Sequence, residues 1–238
     1  MSAIARKHAA PASDVILSVR DLTVRFGTLT AVDSITFDVQ RGRITSIIGP
    51  NGAGKSSLFN LISGAIRPAA GTVSFDGSDV TGATPYRMLA AGLARSFQIT
   101  NLFFELTVRE NLRLATQFVE RGAGLLLPVA SSRAALARVD ELIHAFQLDD
   151  SADKLAGYLS HGDQRRLEIA VTLAARPKLL LLDEPTQGMS HADTAETEQM
   201  IRALAGDLSI LLIEHDVDLV MNLSHHVIVM HQGAKLAE

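Results

Sequence analysis

The amino-acid sequence predicts an α/β fold with a mostly parallel sheet, an antiparallel β-subdomain near the N-terminus and an inserted helical subdomain. After Arg176, short apolar strands alternate with helices, which is typical of a parallel sheet with helical crossovers. Residues 16–26 and 34–39 instead alternate apolar and polar side chains, as half-exposed antiparallel strands do. Residues from about 85 to 175 carry mainly helical spacing, so we interpret this block as an insertion.

The elements of this fold are predicted in a definite order along the chain. Residues 1–14 are a flexible lead-in, and residues 15–238 are one domain whose helical subdomain spans about 99–175. Strands are expected at residues 16–26, 34–39, 43–48, 71–80, 178–182, 208–213 and 226–230. Helices are expected at residues 55–63 and 192–205. The third strand is predicted to be fully buried, and it breaks at a turn rich in Gly, Pro and Asn before the chain resumes as a helix.

Length and composition exclude several classes of function. A chain of 238 residues can bury a full hydrophobic core. Its formal charge of −4 disfavours a nucleic-acid partner, because such proteins usually carry a basic excess. It has no cysteine, which rules out disulfides and thiol catalysis. No apolar run approaches the roughly 20 residues that span a bilayer, so we expect no direct membrane insertion.

The sequence GPNGAGKS at residues 49–56 is the strongest chemical signal in the chain. It matches the pattern of a phosphate-binding P-loop and lies between a predicted strand and a predicted helix. Its glycines allow backbone N–H groups to turn inward around an anion, Lys55 reaches the β- and γ-phosphates, and Ser56 supplies a hydroxyl to Mg²⁺. The residues expected to contact the nucleotide here are Gly49, Pro50, Asn51, Gly52, Ala53, Gly54, Lys55, Ser56 and Ser57. The alternative is a glycine-rich turn before an ordinary helix.

The sequence LLLLDEP at residues 179–185 is an apolar strand that ends in two carboxylates. Asp183 can hold Mg²⁺, and Glu184 can polarise the water that attacks the γ-phosphate. The alternative is a buried strand that surfaces at an acidic turn. The P-loop upstream favours the catalytic interpretation.

The segment LSHGDQRRLEIA at residues 159–170 resembles the signature motif of ABC ATPases, whose usual form is LSGGQ. Gln98 in ARSFQ resembles the Q-loop of that family, Asp183 and Glu184 resemble its Walker B end, and His215 in LLIEHD resembles its switch histidine. These motifs follow the order of the family, and the resemblance covers about residues 15–238.

The resemblance implies roles for further residues, and ATP and Mg²⁺ as cofactors. Phe26 matches the aromatic that stacks on adenine, with Val32 beside it, although a lone Phe there could equally belong to the core. Ser160 and Gly162 are expected to bind the nucleotide held by a second subunit. The expected catalytic residues are Glu184, His215, Gln98 and Lys55, and the expected metal ligands are Ser56, Gln98 and Asp183. The alternative for His215 is a capped core histidine.

Three residues depart from the common form of the family. His161 and Asp163 stand where Gly and Gln are usual in the signature, and Ser190 stands where many members carry Asp. Substitutions at the third signature position and in the loop that holds Ser190 are familiar among ATPases of branched-chain amino acid, urea and amide importers, so the chain resembles that subfamily. Asp163 could repel a triphosphate unless His161 screens it, or both residues could simply cap the helix. Members of that subfamily usually continue beyond the point where this chain stops, Glu238.

The resemblance therefore implies an ATP-hydrolysing subunit that powers import of branched-chain amino acids or a related small amide. The expected partners are transmembrane permease subunits and a second ABC ATPase, identical or different, that pairs through bound ATP. The expected location is cytoplasmic, on the inner face of the cell membrane. One alternative is a soluble ABC-type ATPase that acts on DNA or ribosomes, which would usually carry a long coiled coil or a fused second ATPase. Another is a GTPase-like switch, which would need a guanine-reading N-K-x-D motif.

Overall fold

Two β-sheets organise the protein, and the computed structural model describes residues 14–96, 102–117 and 132–238. Residues 1–13 of the predicted lead-in and the predicted site residue Gln98 lie outside these ranges. The strands are β1 (Val15–Phe26), β2 (Leu29–Gln40), β3 (Ile44–Ile48), β4 (Ala70–Phe75), β5 (Ser78–Asp79), β6 (Leu93–Arg95), β7 (Leu179–Asp183), β8 (Ser209–Ile213), β9 (His226–His231) and β10 (Ala234–Ala237). The helices are α1 (Lys55–Ile62), α2 (Pro85–Ala91), α3 (Val108–Thr116), α4 (Arg133–Ala145), α5 (His161–Leu173), α6 (His191–Leu204) and α7 (Val217–Leu223).

The N-terminal sheet is antiparallel and has the strand order β2-β1-β4-β5. Strands β1 and β2 form a hairpin in which Phe26 pairs with Leu29, and Gly27 takes a φ of 61° in the turn between them. Leu17, Val19 and Leu22 are fully buried on one face of β1. The alternation that the sequence pattern predicted holds only in part, because Ile16 is buried beside Leu17 and residues 22–24 are buried in succession.

The second sheet has the order β10-β9-β3-β8-β7-β6. Strands β9, β3, β8, β7 and β6 run parallel, and β10 runs antiparallel to β9 at one edge. Strands β7 and β8 are buried along their whole length. Continuous burial explains why both sequences are apolar apart from one terminal residue, Asp183 in β7 and Ser209 in β8, because helices or the other sheet cover both faces.

Two hydrophobic clusters lie on opposite faces of the parallel sheet. Leu179 and Leu181 of β7 pack into the cluster that also contains α1 and the antiparallel sheet. Leu180 and Leu182 pack into the cluster that contains residues of helices α3 to α6. Successive side chains of a strand point to opposite faces, so one short run of leucines joins both halves of the core. Each fully buried leucine contributes about 1.5–3 kcal/mol.

The short strands β6 and β10 differ from the sequence prediction. Residues 93–95 lie inside the block predicted to be helical, yet they form β6, which pairs with β7 through Leu93 and Leu179. Three residues are too few to display a period, so only their long-range partner reveals them. Strand β10 was not predicted either, and it extends the sheet beyond β9.

Asp76 forms ion pairs that connect the two sheets, and these pairs lead to a prediction about stability. It lies in the β4–β5 turn and forms ion pairs with Lys178, which precedes β7, and with Arg41. The hydrogen bond from Lys178, followed by that from Arg41, lowers the pKa of the Asp76 carboxyl. Because its pKa is lowered in the folded protein, the Asp76 carboxylate stabilises the fold at pH values above the ordinary carboxyl pKa of about 4. This stabilisation is lost as the pH falls through the lowered pKa.

We therefore expect Asp76→Asn to lower the free energy of unfolding by about 1 kcal/mol at neutral pH. Urea unfolding at a series of pH values measures this difference, which should shrink below about pH 4. The exposed Asp207→Asn serves as the matched control. A difference between parent and Asp76→Asn that stays constant down to pH 3 would contradict the role given to this carboxylate.

Candidate active site

The predicted site residues follow adjacent parallel strands at one edge of the sheet. The glycine-rich loop follows β3, Glu214 and His215 follow β8, and Asp183 ends β7. Because β3, β8 and β7 are neighbours and run in the same direction, their carboxyl ends meet at this edge. Residues more than 100 positions apart in the sequence are thereby assembled by the strand order alone.

The glycine-rich loop after β3 has a backbone that only glycine can form. Gly54 is the N-cap of α1 with a φ of 96°, and a Cβ there would lie 2.3 Å from the carbonyl oxygen of Ala31. A Cβ at Gly49 would lie 2.2 Å from the carbonyl oxygen of Met230. Both glycines let the loop lie directly against neighbouring strands and present its amides ahead of a helix N-terminus.

Lys55 is folded back against its own loop. It is buried, and its Nζ donates hydrogen bonds to the carbonyl oxygens of Gly49 at 2.6 Å and Pro50 at 3.1 Å. An anion held in the loop would share this ammonium with the two carbonyls. Of the other predicted phosphate contacts, Pro50, Asn51, Gly52 and Ser56 are exposed, Gly49, Gly54 and Ser57 are half-buried, and the side chain of Ala53 is in the core.

The turn between β9 and β10 supports this loop, which the sequence did not predict. The Gly233 amide donates to the carbonyl oxygen of Ala53 at 3.0 Å, and the Gly233 carbonyl accepts from the Asp33 amide at 2.8 Å. Gln232 and Gly233 take φ values of 47° and 83° to make this possible. The turn thus connects the phosphate loop to β2. The dipeptide Gln-Gly between two short apolar runs is the turn signal that could have indicated it.

Asp183 and Glu184 lie side by side in different environments. Asp183 is 3% exposed, and its Oδ2 accepts from Arg95 at 3.0 Å. Glu184 is half-buried and has a φ of 45°, and its amide donates to the carbonyl oxygen of Ile213 at 2.9 Å. A non-glycine residue in this left-handed conformation costs about 1–2 kcal/mol. Such strain is found where the direction of a side chain matters for function.

Glu214 is a second buried carboxylate at this edge, and the sequence analysis missed its role. It is 0% exposed, and its Oε1 accepts from the amide of Thr186 at 3.2 Å and from the hydroxyl of Thr186 at 2.7 Å. Its Oε2 accepts from the amide of His215 at 3.1 Å. Glu214 therefore holds the turn after β7 against the end of β8. An acid that directly follows five buried strand residues is the sequence signal that could have pointed to it.

The side chain of His215 lies beside this buried carboxylate and remains accessible. It is 58% exposed, and its Nδ1 is 3.6 Å from Glu214 Oε2. It is therefore not a buried core histidine. The N-cap of α7 is Asp216, whose side chain accepts from the amides of Asp218 and Leu219.

Replacing Glu214 by Gln tests this support. The side-chain oxygen of Gln can still accept the hydrogen bonds from Thr186. Its NH₂ group, however, would face the backbone N–H of His215, and that buried donor would then lack an acceptor. We expect Glu214→Gln to lower the free energy of unfolding by about 1–3 kcal/mol, measured by urea unfolding. The exposed Glu105→Gln is the control. Equal stability of both variants would argue against the supporting role of Glu214.

The signature segment forms the N-terminus of α5, with Ser160 as its N-cap. The Ser160 hydroxyl accepts from the Asp163 amide at 3.1 Å and donates to Asp163 Oδ2 at 2.9 Å. Asp163 Oδ1 is also 3.4 Å from Arg166 Nη1. Ser160 therefore caps the helix, Asp163 in its first turn accepts a hydrogen bond from the Ser160 hydroxyl, and His161 is exposed. Ser190 repeats this arrangement with Asp193 at the start of α6.

A polar cleft of 240 Å³ lies between the acidic pair Asp183 and Glu184 and the helix α5, which begins in the signature segment. It is lined by residues of both segments, including His161, Gln164, Glu184 and Asp193. Gly162 adjoins the same region, because a Cβ there would lie 3.6 Å from Asp193 Oδ1. The structure thus brings the starts of α5 and α6 close together.

The two residues predicted beside the adenine ring differ in accessibility. Phe26 is 48% exposed at the end of β1, so its ring is open to a ligand. Val32 is 0% exposed in the core between the sheets, so its predicted contact with nucleotide stays a prediction. Its position in β2 follows from the inward-facing strand period, which places it under the site.

Comparison with known proteins identifies the family. The ABC transporter family matches residues 32–187, which is more than half of the chain. The chain belongs to the ABC transporter family. It is 39% identical over 234 residues to the high-affinity branched-chain amino acid transport ATP-binding protein BraF of Pseudomonas aeruginosa, covering 94% of this chain and 91% of that relative.

Solved structures agree with this assignment. The fold superimposes with a TM-score of 0.86 on the ADP conformation of an ATP-binding cassette of an ABC transporter, at 30% identity over 94% of this chain and 91% of that one. It also resembles a dimeric ATP-binding cassette in a post-hydrolysis state bound to ADP and phosphate, with a TM-score of 0.77 and 25% identity over 93% of this chain and 97% of that one.

The family assignment makes this cassette an ATP-binding and ATP-hydrolysing protein of a membrane transporter. ABC ATPases work with permease subunits and dimerise. Within residues 14–96, 102–117 and 132–238, no helix is both long and apolar enough to cross a membrane.

Proposed function

We propose that this cassette is the ATP-hydrolysing subunit of an importer of branched-chain amino acids or a related small amide. The observation that carries the proposal is the shared edge of β3, β8 and β7, where the phosphate loop, His215 and the two acidic residues come together. The similarity to BraF along 94% of the chain supports the substrate class. It also favours transport over an ATPase that acts on DNA or ribosomes.

We assign nucleotide binding to the exposed ring of Phe26 and to the loop after β3. Phe26 offers a flat apolar face for adenine without requiring hydrogen bonds. The amides of residues 49–57 and the N-terminus of α1 would surround the phosphates. Lys55 would turn from the carbonyl oxygens of Gly49 and Pro50 to the β- and γ-phosphates, where its charge is better compensated.

Ser56 and Asp183 are suited to hold Mg²⁺ together with the nucleotide, and Gln98 is the third ligand that the sequence predicts. Among the described residues no group of three or more His, Asp or Glu side chains is placed to hold an ion by itself. One carboxylate, from Asp183, beside the phosphates fits Mg²⁺, which is usually bound through one or two carboxylates together with phosphates and water. When bound, Mg²⁺ neutralises charge that develops on the transferred phosphoryl group.

Glu184 and His215 are assigned to the attacking water. Glu184 is half-buried and would accept the proton of that water as it attacks the γ-phosphate. The exposed imidazole of His215 would hold the water or the γ-phosphate in line, because it can both donate and accept a hydrogen bond. The strained backbone of Glu184 and the buried support from Glu214 would keep both side chains oriented.

Glu184→Gln is the direct test of this proposal. The variant should keep ATP affinity, because its shape is unchanged, but lose at least about 100-fold in hydrolysis, since an amide cannot accept the proton. Labelled ATP binding and phosphate release measure the two quantities. Glu105→Gln, an exposed site, is the control. Hydrolysis by Glu184→Gln at the parent rate would remove Glu184 from the mechanism.

Proteoliposomes that contain the partner permease extend the test to the substrate. The parent should support ATP-dependent uptake of labelled leucine, and Glu184→Gln should not. Uptake of urea or a short amide instead of leucine would keep the ATPase assignment and change the substrate. No ATP-dependent uptake of any of these would oppose the import function.

The second cassette would contribute its signature segment across the ATP. Ser160 and Gly162 lie at the N-terminus of α5, where the helix dipole favours an anion. Two such cassettes, identical or different, would enclose two ATP molecules and separate after hydrolysis. To donate to a γ-phosphate, the Ser160 hydroxyl would have to leave Asp163.

The permease would contact an apolar groove of 410 Å³ beside the end of β6. Its lining includes Tyr86 and Leu89 of α2, Leu102, Ala115 and Val171. The groove borders Arg95 and Ser96, so movement there would reach the residues that carry the charge of the site. This contact would hold the cassette at the inner face of the cell membrane.

Tyr86→Asp tests the groove. Tyr86 is 70% exposed, so a carboxylate there should leave ATP hydrolysis by the isolated cassette unchanged, yet oppose burial against a partner. We expect at least about tenfold weaker association with the permease in detergent, measured by co-purification and titration. Leu236→Asp is the matched control, because Leu236 is 71% exposed on β10, at the opposite edge of the sheet. Equal loss in both variants would move the contact elsewhere.

A further inference from the structure

The guanidinium of Arg95 neutralises the buried Asp183 carboxylate. Arg95 ends β6, Asp183 ends β7, and the two strands are parallel neighbours. Arg95 Nη2 lies 3.0 Å from Asp183 Oδ2, and the two side chains are 14% and 3% exposed. Among the described residues, Arg95 is the hydrogen-bonding partner that the structure gives this carboxylate. A carboxylate buried to this degree needs such a partner.

Arg95 is held in place by the helix that follows the phosphate loop. Its Nη1 donates to Asn60 Oδ1 at 2.6 Å and to Ser63 Oγ at 3.2 Å. Its guanidinium also lies 5.7 Å from the centre of the Phe59 ring. Three contacts on the α1 side and one on the β7 side fix the cation between the phosphate-binding helix and the proposed metal ligand.

The pair places a positive charge where the proposed Mg²⁺ would also act. Without Arg95, Asp183 would present an uncompensated negative charge to incoming phosphates and would repel metal-free ATP. With Arg95, that repulsion is cancelled, and a metal ion that binds Asp183 must share the carboxylate with the guanidinium. Arg95 would therefore raise the affinity for metal-free ATP and reduce the factor by which Mg²⁺ increases that affinity.

We propose that Arg95 is a positioning residue that neutralises Asp183 and sets how strongly ATP affinity depends on Mg²⁺. This inference rests on the proposed function, because it takes Asp183 as a metal ligand. The proposal concerns the effect of the charges of this pair on ATP affinity. It does not concern the folding stability that any buried ion pair gives. The measurable quantity is the metal factor, defined as the Kd of a non-hydrolysable ATP analogue in EDTA divided by its Kd in Mg²⁺.

Arg95→Gln should raise the metal factor by at least about tenfold, because it weakens binding in EDTA and favours binding with Mg²⁺. Arg95→Lys keeps the charge but loses fork contacts, so both Kd values can change while the metal factor should stay within about threefold of that of the parent. A purely structural role would change both Kd values equally and leave the factor constant. An unchanged factor in a folded Arg95→Gln protein would overturn the proposal.

Asp183→Asn tests the same pair from the other side and decides the matter if Arg95→Gln does not fold. It leaves the Arg95 charge unopposed, so the analogue should bind in EDTA at least about threefold more tightly than to the parent. In the double variant Arg95→Gln/Asp183→Asn neither charge remains, and the Kd in EDTA should return towards that of the parent. Weaker or equal binding in EDTA by Asp183→Asn would contradict the proposal.

Lys55→Ala separates this inference from the proposed function. If the parent and Lys55→Ala bind the analogue equally, the phosphate site itself is misplaced and the proposed function fails. If Lys55→Ala loses affinity while the Arg95 and Asp183 variants leave the metal factor and the Kd in EDTA unchanged, the phosphate site stands and only the role of Arg95 falls.

Discussion

The shared direction of β3, β8, β7 and β6 is the constraint on which the rest of the site depends. These strands are largely buried, so their backbone groups are satisfied within the sheet and their side chains in the two cores. The chain can place charged groups that must reach a ligand most readily where the strands end. Because they all end at the same edge, Arg95, Asp183 and Glu214 are brought together without any segment of chain dedicated to joining them.

The loop that is proposed to hold phosphates is in contact with neighbouring strands, which support its backbone before any anion binds. Backbone oxygens of Ala31 and Met230 leave no room for side chains at Gly54 and Gly49. The hydrogen bond between Gly233 and Ala53 joins the same loop to the β9–β10 turn. Amides held in advance need no reorganisation when charge arrives, which is why they stabilise an anion more than mobile donors do.

Local patterns predicted most of this architecture, and contacts between distant strands account for what was missed. The phosphate loop, the acidic end of β7 and the signature segment at residues 159–170 are signals carried by a few adjacent residues. The pairing of Arg95 with Asp183 spans 88 positions and exists only because β6 lies beside β7. Glu214 and Thr186 meet for the same reason, across β8 and β7. The burial of Val32 follows from the strand period, which the sequence prediction did not apply to it.

The two adjacent carboxylates show how one turn can support two kinds of chemistry. Asp183 is the last residue of β7, is buried, and has its charge compensated by Arg95. One residue later the backbone reverses into a left-handed conformation, and Glu184 emerges half-buried beside the polar cleft. A compensated carboxylate is suited to share a cation, whereas an accessible one can accept a proton from water. The change of environment between neighbouring residues, more than their common side-chain type, therefore separates the proposed metal ligand from the proposed base.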